Sequence, residues 1–440
     1  MTKSLLRFLT VISCVLGIGF SSIQPAIAQT DGGYKDFTYG NNVAPTGEKP
    51  QSKLWYHDGS WWGVLYNSSP SYLRFEIYKF NWSAQTWTTT TIPVESRQRS
   101  TLDVLSVGND LYIASAAVPI AQNEGNPNIN IYRFNYDTIN TTYFFESGST
   151  IPSNPVETVV IDQDSTGTLW ITFTDIDSST SQQSVFISHT LETPNQWSTP
   201  TVLPLTGAAN LSPDDISTLV AYSGKIGVLW SNQIANSVYF GTHVDGQADD
   251  VWAPNPALQG PKYADDHLNI KSLQSDAAGQ VFAAVKTSLN DGTSPNPDDP
   301  LILLLTLDNK GGWSRRTVSR VKDNQTRPIV LIDEQNRQIY VFATLRYPNQ
   351  MTGAIYYKQA SLDNPGMQFP DGPGTRFIEL SGYTHINNAS STKQPLNSIT
   401  DLLVIASDDT AKSYFHNVFD LPHSPPPSPA FSVFLPLITR

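Results

Sequence analysis

The stretch "ADDHLNIKS", residues 264–272, sets Asp265, Asp266 and His267 against a short alternating run that carries Asn269 and Lys271. Two carboxylates beside an imidazole are the raw material of general acid–base catalysis, and an amine four positions on adds a group that stabilises developing negative charge. Alternation sends strand neighbours to opposite faces, so Lys271 shares a side with His267 only if the extended run already starts there. With Asn269 facing inward, His267 and Asp265 lie on its side and Asp266 turns away, which makes His267 the first residue to mutate. The same alternation lets at most two of Asp265, Asp266 and His267 converge on one ion, and no metal is assigned.

These groups need partners from elsewhere, and the architecture says which. The chain consists of short runs of Val, Ile, Leu, Trp, Tyr and Phe separated by Gly, Asn, Asp and Pro turns, an all-β pattern. The unit "TVVIDQDSTGTLWITFT" (158–174) recurs at 270–287 and 328–344, with shorter-turn copies at 53–66, 102–115 and 216–231 and a degenerate seventh through 396–419. Seven copies, each worth about four strands, predict an all-β seven-bladed β-propeller. The seventh copy stops soon after its third strand, so "KDFTY" (35–39) is expected to supply the outer strand and close the ring.

Aligned on their first turn, the copies place Lys53, Thr101, Glu157, Asp215, Asn269, Arg327 and Thr392 around one mouth of the central channel. Arg99, Asp214, Asp265, Asp266, His267 and Lys393 lie within a few positions of that ring. The longest loops, 118–130, 288–300 and 346–353, fall on the same face, which is therefore the expected ligand face. The plainer alternative is that these polar residues only satisfy exposed strand ends.

Two reactions match the inventory. Glycoside hydrolysis needs two carboxyl groups in opposite protonation states; Glu157, Asp215 and Asp266 are the candidates, with Arg327 or Lys393 keeping one of them ionised. Polysaccharide β-elimination needs a base, here His267 or a tyrosine, and a cation beside the uronate carboxylate, here Arg327, Lys271, Arg99 or Lys393. Lys53 and Asn269 complete the polar lining, and Tyr72 and Tyr347 in the long loops offer rings on which a sugar stacks. No cofactor is expected. Calcium at "DQDSTG" (162–167) is the lesser alternative to a hairpin turn, because Phe173 stands where a calcium loop carries glutamate. There is no G-x-S-x-G, H-E-x-x-H or phosphate-cradling loop.

The ends speak to location. Lys3 and Arg7, an apolar stretch and "AIA" (26–28) form an expected signal peptide over 1–28, so the mature protein is expected to be exported. The single cysteine, Cys14, lies within it, leaving the mature chain without disulfides or thiol chemistry. A net charge of -12 without a basic tract argues against nucleic acid or an anionic membrane as partner. Residues 29–421 are expected to form the propeller, 422–429 a Pro-rich linker, and 430–440 a sorting or attachment tail too short to span a membrane.

"ADDHLNIKSLQ", "TRPIVLIDE" and "INNASSTKQPLNS" resemble motifs of a family of exported bacterial seven-bladed propellers, uncharacterised or labelled sialidase-like or BNR-like. The resemblance spans roughly residues 50–420. It implies secretion or cell-surface attachment and a place among carbohydrate-active propellers, with no established reaction. The chain lacks intact S-x-D-x-G-x-x-W boxes, "DQDSTGTLW" being a near miss, and shows no trio of arginines at the mouth. A glycosidase or lyase is therefore expected, with a non-catalytic, lectin-like or surface-attached binder as the alternative.

Overall fold

The computed structural model describes residues 32–422 apart from 43–44, 119–126, 178, 181, 193–194, 274–278 and 365. The expected signal peptide, nearly all of the linker and the tail lie outside the described residues, as does most of the 118–130 loop.

The described residues form strands and one short 3-10 turn, Val321–Asp323. No helix among them is long and apolar enough to cross a membrane. The first sheet joins β2 (Leu54–His57), β3 (Ser60–Asn67), β4 (Arg74–Asn81) and β5 (Thr86–Glu95) in sequence order. The second contains β6 (Ser100–Val107), β7 (Asp110–Ala117), β8 (Ile129–Asp137) and β9 (Thr142–Ile151). The third has β10 (Val159–Gln163), β11 (Leu169–Asp177), β12 (Gln182–His189) and β13 (Thr201–Val202). The fourth runs from β14 (Ser217–Tyr222) through β15 (Lys225–Asn232) and β16 (Ser237–Val244), which pairs with both β17 (Ala253–Pro254) and β18 (Leu258–Gln259). The fifth is β19 (Leu268–Ser272), β20 (Val281–Lys286), β21 (Pro300–Leu307) and β22 (Trp313–Arg320).

The remaining strands merge. β23 (Gln325–Asp333), β24 (Gln338–Arg346), β25 (Gly353–Ser361) and β26 (Thr375–Ile378) form one run, and β27 (Ile386–Ser390), β28 (Leu402–Asp408), β29 (Ser413–Phe419) and β1 (Tyr34–Thr38) another. Seven separate sheets were expected. Six are found, because the pair Gly353–Ile386 joins these two runs into one eight-stranded sheet. Gly353 also lies tight against β24, where a Cβ would sit 2.1 Å from the Leu345 carbonyl oxygen.

Local chemistry explains the hairpins. Asp58 and Gly59, and again Ser223 and Gly224, both have positive φ. That is the two-residue turn whose twist matches antiparallel strands. Each first strand touches the first strand of the next sheet, in the order β2, β6, β10, β14, β19, β23, β27. Ser391, just past β27, accepts the backbone N–H groups of Lys53 and Leu54 at 3.1 and 3.0 Å.

Side chains staple these first strands together across the channel. Asp103 accepts the N–H of Ser52 at 2.8 Å and of Ile161 at 2.9 Å, Asp162 accepts that of Ala221 at 2.9 Å, and Asn269 accepts that of Val330 at 3.0 Å. Apolar residues fill the space between sheets. Trp55 and Trp62 pack edge-on against Tyr143 between the first two sheets, and Phe37 and Tyr39 pack on Tyr414 beneath β1.

The last copy of the repeat needs correction. Its first strand is "INNAS", not the run beginning at Leu396, and Leu396 instead bonds back to Ile332. β27 escapes an apolar pattern because its polar members are satisfied inside: Asn387 accepts a hydrogen bond from Thr344 and Asn388 one from Arg327.

Candidate acid–base site

Thr46 to Gln51, which precedes the first strand, crosses the channel. Thr46 bonds Ser407 at 2.9 Å, Gln51 bonds the Val159 carbonyl at 2.9 Å, and Asn269 donates to the Lys49 carbonyl at 2.8 Å. This delivers the Lys49 ammonium to the centre of the long-loop mouth. There Nζ lies 2.9 Å from Glu48, 3.0 Å from Glu157 and 2.9 Å from Asp266. Lys49 was not among the expected residues. It lies in a segment without strand periodicity, between Pro45 and Pro50, and nothing local marks it.

The cluster shifts its members' pKa values in different directions. Burial would lower the Lys49 amine, but Glu48, Glu157 and Asp266 hold it above its ordinary value. Burial pushes the Glu157 carboxyl up against the pull of Lys49, with Glu48 adding to the rise. Burial acts the same way on Asp266, yet the His267 hydrogen bond and charge and the Lys49 charge hold it well below the carboxylate range. Glu48 is likewise held low despite burial, by Lys49 and Arg327.

His267 stands beside this group. Its Nδ1 meets Asp265 and, at 2.6 Å, Asp266, while Nε2 lies 3.3 Å from the Thr326 hydroxyl. Asp265 is also bound by Lys286 and by Ser288. Asp266 does not turn away as alternation predicted, because residues 265–267 precede β19 and are not extended strand. Ligand atoms of Asp265, Asp266 and His267 lie within 4.8 Å of one another. Two lysine ammoniums already sit on those carboxylates, so the trio is a poor fit for a metal cation.

Other expected residues divide. Arg327 belongs to the cluster, 3.8 Å from Glu48 and bonded to Asn388 at 3.0 Å. Asp215 does not: its carboxylate accepts the N–H groups of Ser212 and Gln233, at 2.7 and 3.1 Å, and caps a turn. Lys53, Thr392 and Lys393 lie deeper than expected. Ser52 is level with Asp103, which puts Pro50 level with Thr101 and Lys53 three residues deeper than expected. Lys53 bonds Gln51 at 2.9 Å and the Leu102 carbonyl, and burial pushes its amine down to about 7. Lys393 reaches across the channel to Asp103 at 2.5 Å and to the Ile161 carbonyl.

Arg99 is exposed, and the buried arginine of its segment is Arg97, paired with Glu95 at 2.6 Å. Tyr72 is exposed on the first sheet with Arg74 over its ring, 4.9 Å from the centroid. Tyr347 donates its hydroxyl to Glu379, away from Lys49. In the 162–167 turn, Asp164 accepts from the N–H groups of Thr166 and Thr168 at 2.9 Å and from the Trp170 indole at 3.0 Å.

Beyond Pro50 the channel widens into a cavity of about 520 Å³ that opens at the short-turn mouth, opposite the expected ligand face. Asn269 and Lys271 do share the channel side of β19, and Lys271 lines this cavity.

No protein-family model matches the chain, and neither does any curated protein. Among solved structures, it resembles the polysaccharide lyase Uly1 over 90% of this chain and 94% of that one, with TM-score 0.50 and 10% identity. It also resembles the periplasmic gluconolactonase PpgL of Pseudomonas aeruginosa (81% and 95% covered, TM-score 0.47, 12% identity). A third is an alpha-L-arabinanase of Penicillium chrysogenum (76% and 98%, TM-score 0.45, 11% identity). The fold is a β-propeller. At 10% identity the likeness to Uly1 speaks for architecture and leaves the chemistry to the residues above.

Proposed function

We propose that this chain is an exported bacterial, carbohydrate-active propeller and, more narrowly, a glycoside hydrolase acting at the long-loop mouth. The observation that carries the reading is that Glu157 and Asp266 meet on one ammonium while their environments shift their pKa values in opposite directions. Two oxygens held by one Nζ are at most about 6 Å apart, near the spacing of a retaining pair. Glu157 acts as the acid, Asp266 as the ionised partner, and Arg327 as a sugar-orienting donor. The carboxylates sit on His267 Nδ1 and leave Nε2, 3.3 Å from the Thr326 hydroxyl, as its open nitrogen, so elimination with His267 as base is the competing chemistry. The resemblance in fold to a polysaccharide lyase is compatible with a polymeric or oligomeric sugar as substrate.

The finer architecture belongs to the same proposal: the two halves of the eight-stranded sheet count as separate blades, making seven, with β1 as the outer strand that completes the ring. Residues 29–421 are then one domain.

A second reading has its own support. Lys49 fills the gap between the two carboxyl groups, which suits a non-catalytic carbohydrate binder whose charges hold the N-terminal segment in place. Incubating the mature protein with a polysaccharide panel and measuring new reducing ends and unsaturated uronate separates the readings. Hydrolysis predicts reducing ends without unsaturation, lost by about 100-fold or more in Glu157→Gln and in Asp266→Asn. Binding without product in the wild type refutes the hydrolase.

A further inference from the structure

We propose that the short-turn end of the channel is a second ligand site, which takes a small hydroxylated carboxylate, a sugar acid, with Lys271 as the partner of its carboxylate. It lies on the far side of Pro50 from Lys49 and stands or falls independently of catalysis at the other mouth.

Lys271 is 6% exposed and lines the 520 Å³ cavity, yet its ammonium has no hydrogen-bond or ion-pair partner among the described residues. A buried, unpaired amine is costly unless something satisfies it. Its neighbours are committed elsewhere. Lys393 is held by Asp103 and the Ile161 carbonyl, and Asp162 accepts the N–H groups of Ala221 and Gln163, both at 2.9 Å.

The charges facing Lys271 are Lys393, Asp103 and Asp162. Burial, reinforced by Lys393, pushes the Lys271 amine down to about 7. An incoming anion completes the set, and Asp162 in the same cavity makes a monoanion a better fit than a dianion. The walls also offer amides and hydroxyls, from Gln163, Gln394, Thr218 and Ser272, beside apolar surface from Leu219 and Tyr222. That mixture suits a polyol, and the volume is within the range of small-molecule pockets.

The test is calorimetric titration with galacturonate, gluconate, neutral galactose and inorganic phosphate, at pH 7 in two buffers of different ionisation enthalpy. A sugar acid should bind at one site and take up about half a proton, since the bound anion restores full charge to Lys271. Lys271→Met should weaken binding at least tenfold and abolish the uptake. This variant loses an unpaired buried amine, so urea denaturation should show it no less stable than the wild type, which separates lost binding from lost fold. No saturation by either acid up to about 10 mM, equal binding by Lys271→Met, or binding of galactose or phosphate as tight as that of the acids overturns the proposal.

Discussion

Replacing Lys49 with methionine tests the central electrostatic claim. The side chain is 3% exposed, while those of Glu48, Glu157 and Asp266 are 19%, 31% and 21% exposed. Methionine keeps most of the volume and removes the charge, leaving three carboxyl groups facing one another. Removing one partner from a fully buried pair costs roughly 3–5 kcal/mol, and partial solvent access to the carboxylates places this case near the lower end, at about 3 kcal/mol at pH 7. The pH dependence carries a sign. In the wild type, Glu48 and Asp266 are held low, so the stability they contribute is lost as pH falls through their folded-state values. In the variant, mutual repulsion raises the folded-state pKa values, so the penalty is relieved as pH falls and protons bind. The wild-type contribution stays in place down to the ordinary carboxylate range, so between pH 7 and about pH 4.5 the gap should narrow from the variant's side. Urea unfolding curves at the two pH values measure it, and Asp266→Asn in the Lys49→Met background should recover about 1–2 kcal/mol of the loss. A gap below about 0.5 kcal/mol at pH 7, or one that does not change with pH, refutes the reasoning.

Two further outcomes are expected. Asp103→Asn keeps the shape of a fully buried carboxylate but turns an amide donor toward one of the two N–H groups, of Ser52 and Ile161, that its oxygens accept, and removes the anion beneath Lys393; it should cost about 2–4 kcal/mol by denaturant unfolding, and an unchanged midpoint argues against the stapling role. A chain shortened to begin at Asn41 keeps Lys49 but uncovers β29, including His416, which loses its 2.8 Å bond to Asp36; light scattering should show self-association, and a monomer of unchanged thermal stability contradicts an edge-covering role for β1.

Much of the fold was legible because it rests on local rules. Alternating branched and aromatic runs mark strands such as β3 and β15, and an Asp-Gly and a Ser-Gly pair mark their hairpin turns, since both express the preferences of neighbouring residues. The failures share a cause. "INNAS" looks too polar for an inner strand until Thr344 and Arg327 arrive to satisfy its asparagines. Lys53 and Thr392 were placed at the mouth by turn alignment, but depth in the channel is set by the hydrogen bonds of Ser52 and Ser391 to other sheets.

The candidate site shows the same division. Glu157, Asp266, His267 and Arg327 could be named from their place in the repeat, because a repeated unit puts equivalent residues at equivalent heights. Which of them meet, and in what charge state, could not. Residues 49, 157, 266 and 327 come together only when their sheets stand around one axis, and Lys49 gets there on a segment with no periodicity to read. Composition and alternation thus specified strands, turns and a ring of charges. Three-dimensional packing decided that the N-terminal segment neutralises that ring, that burial shifts the titration of Glu157 and Lys271, and that His267 and Lys49 overcome burial at Asp266, none of which a short stretch of sequence encodes.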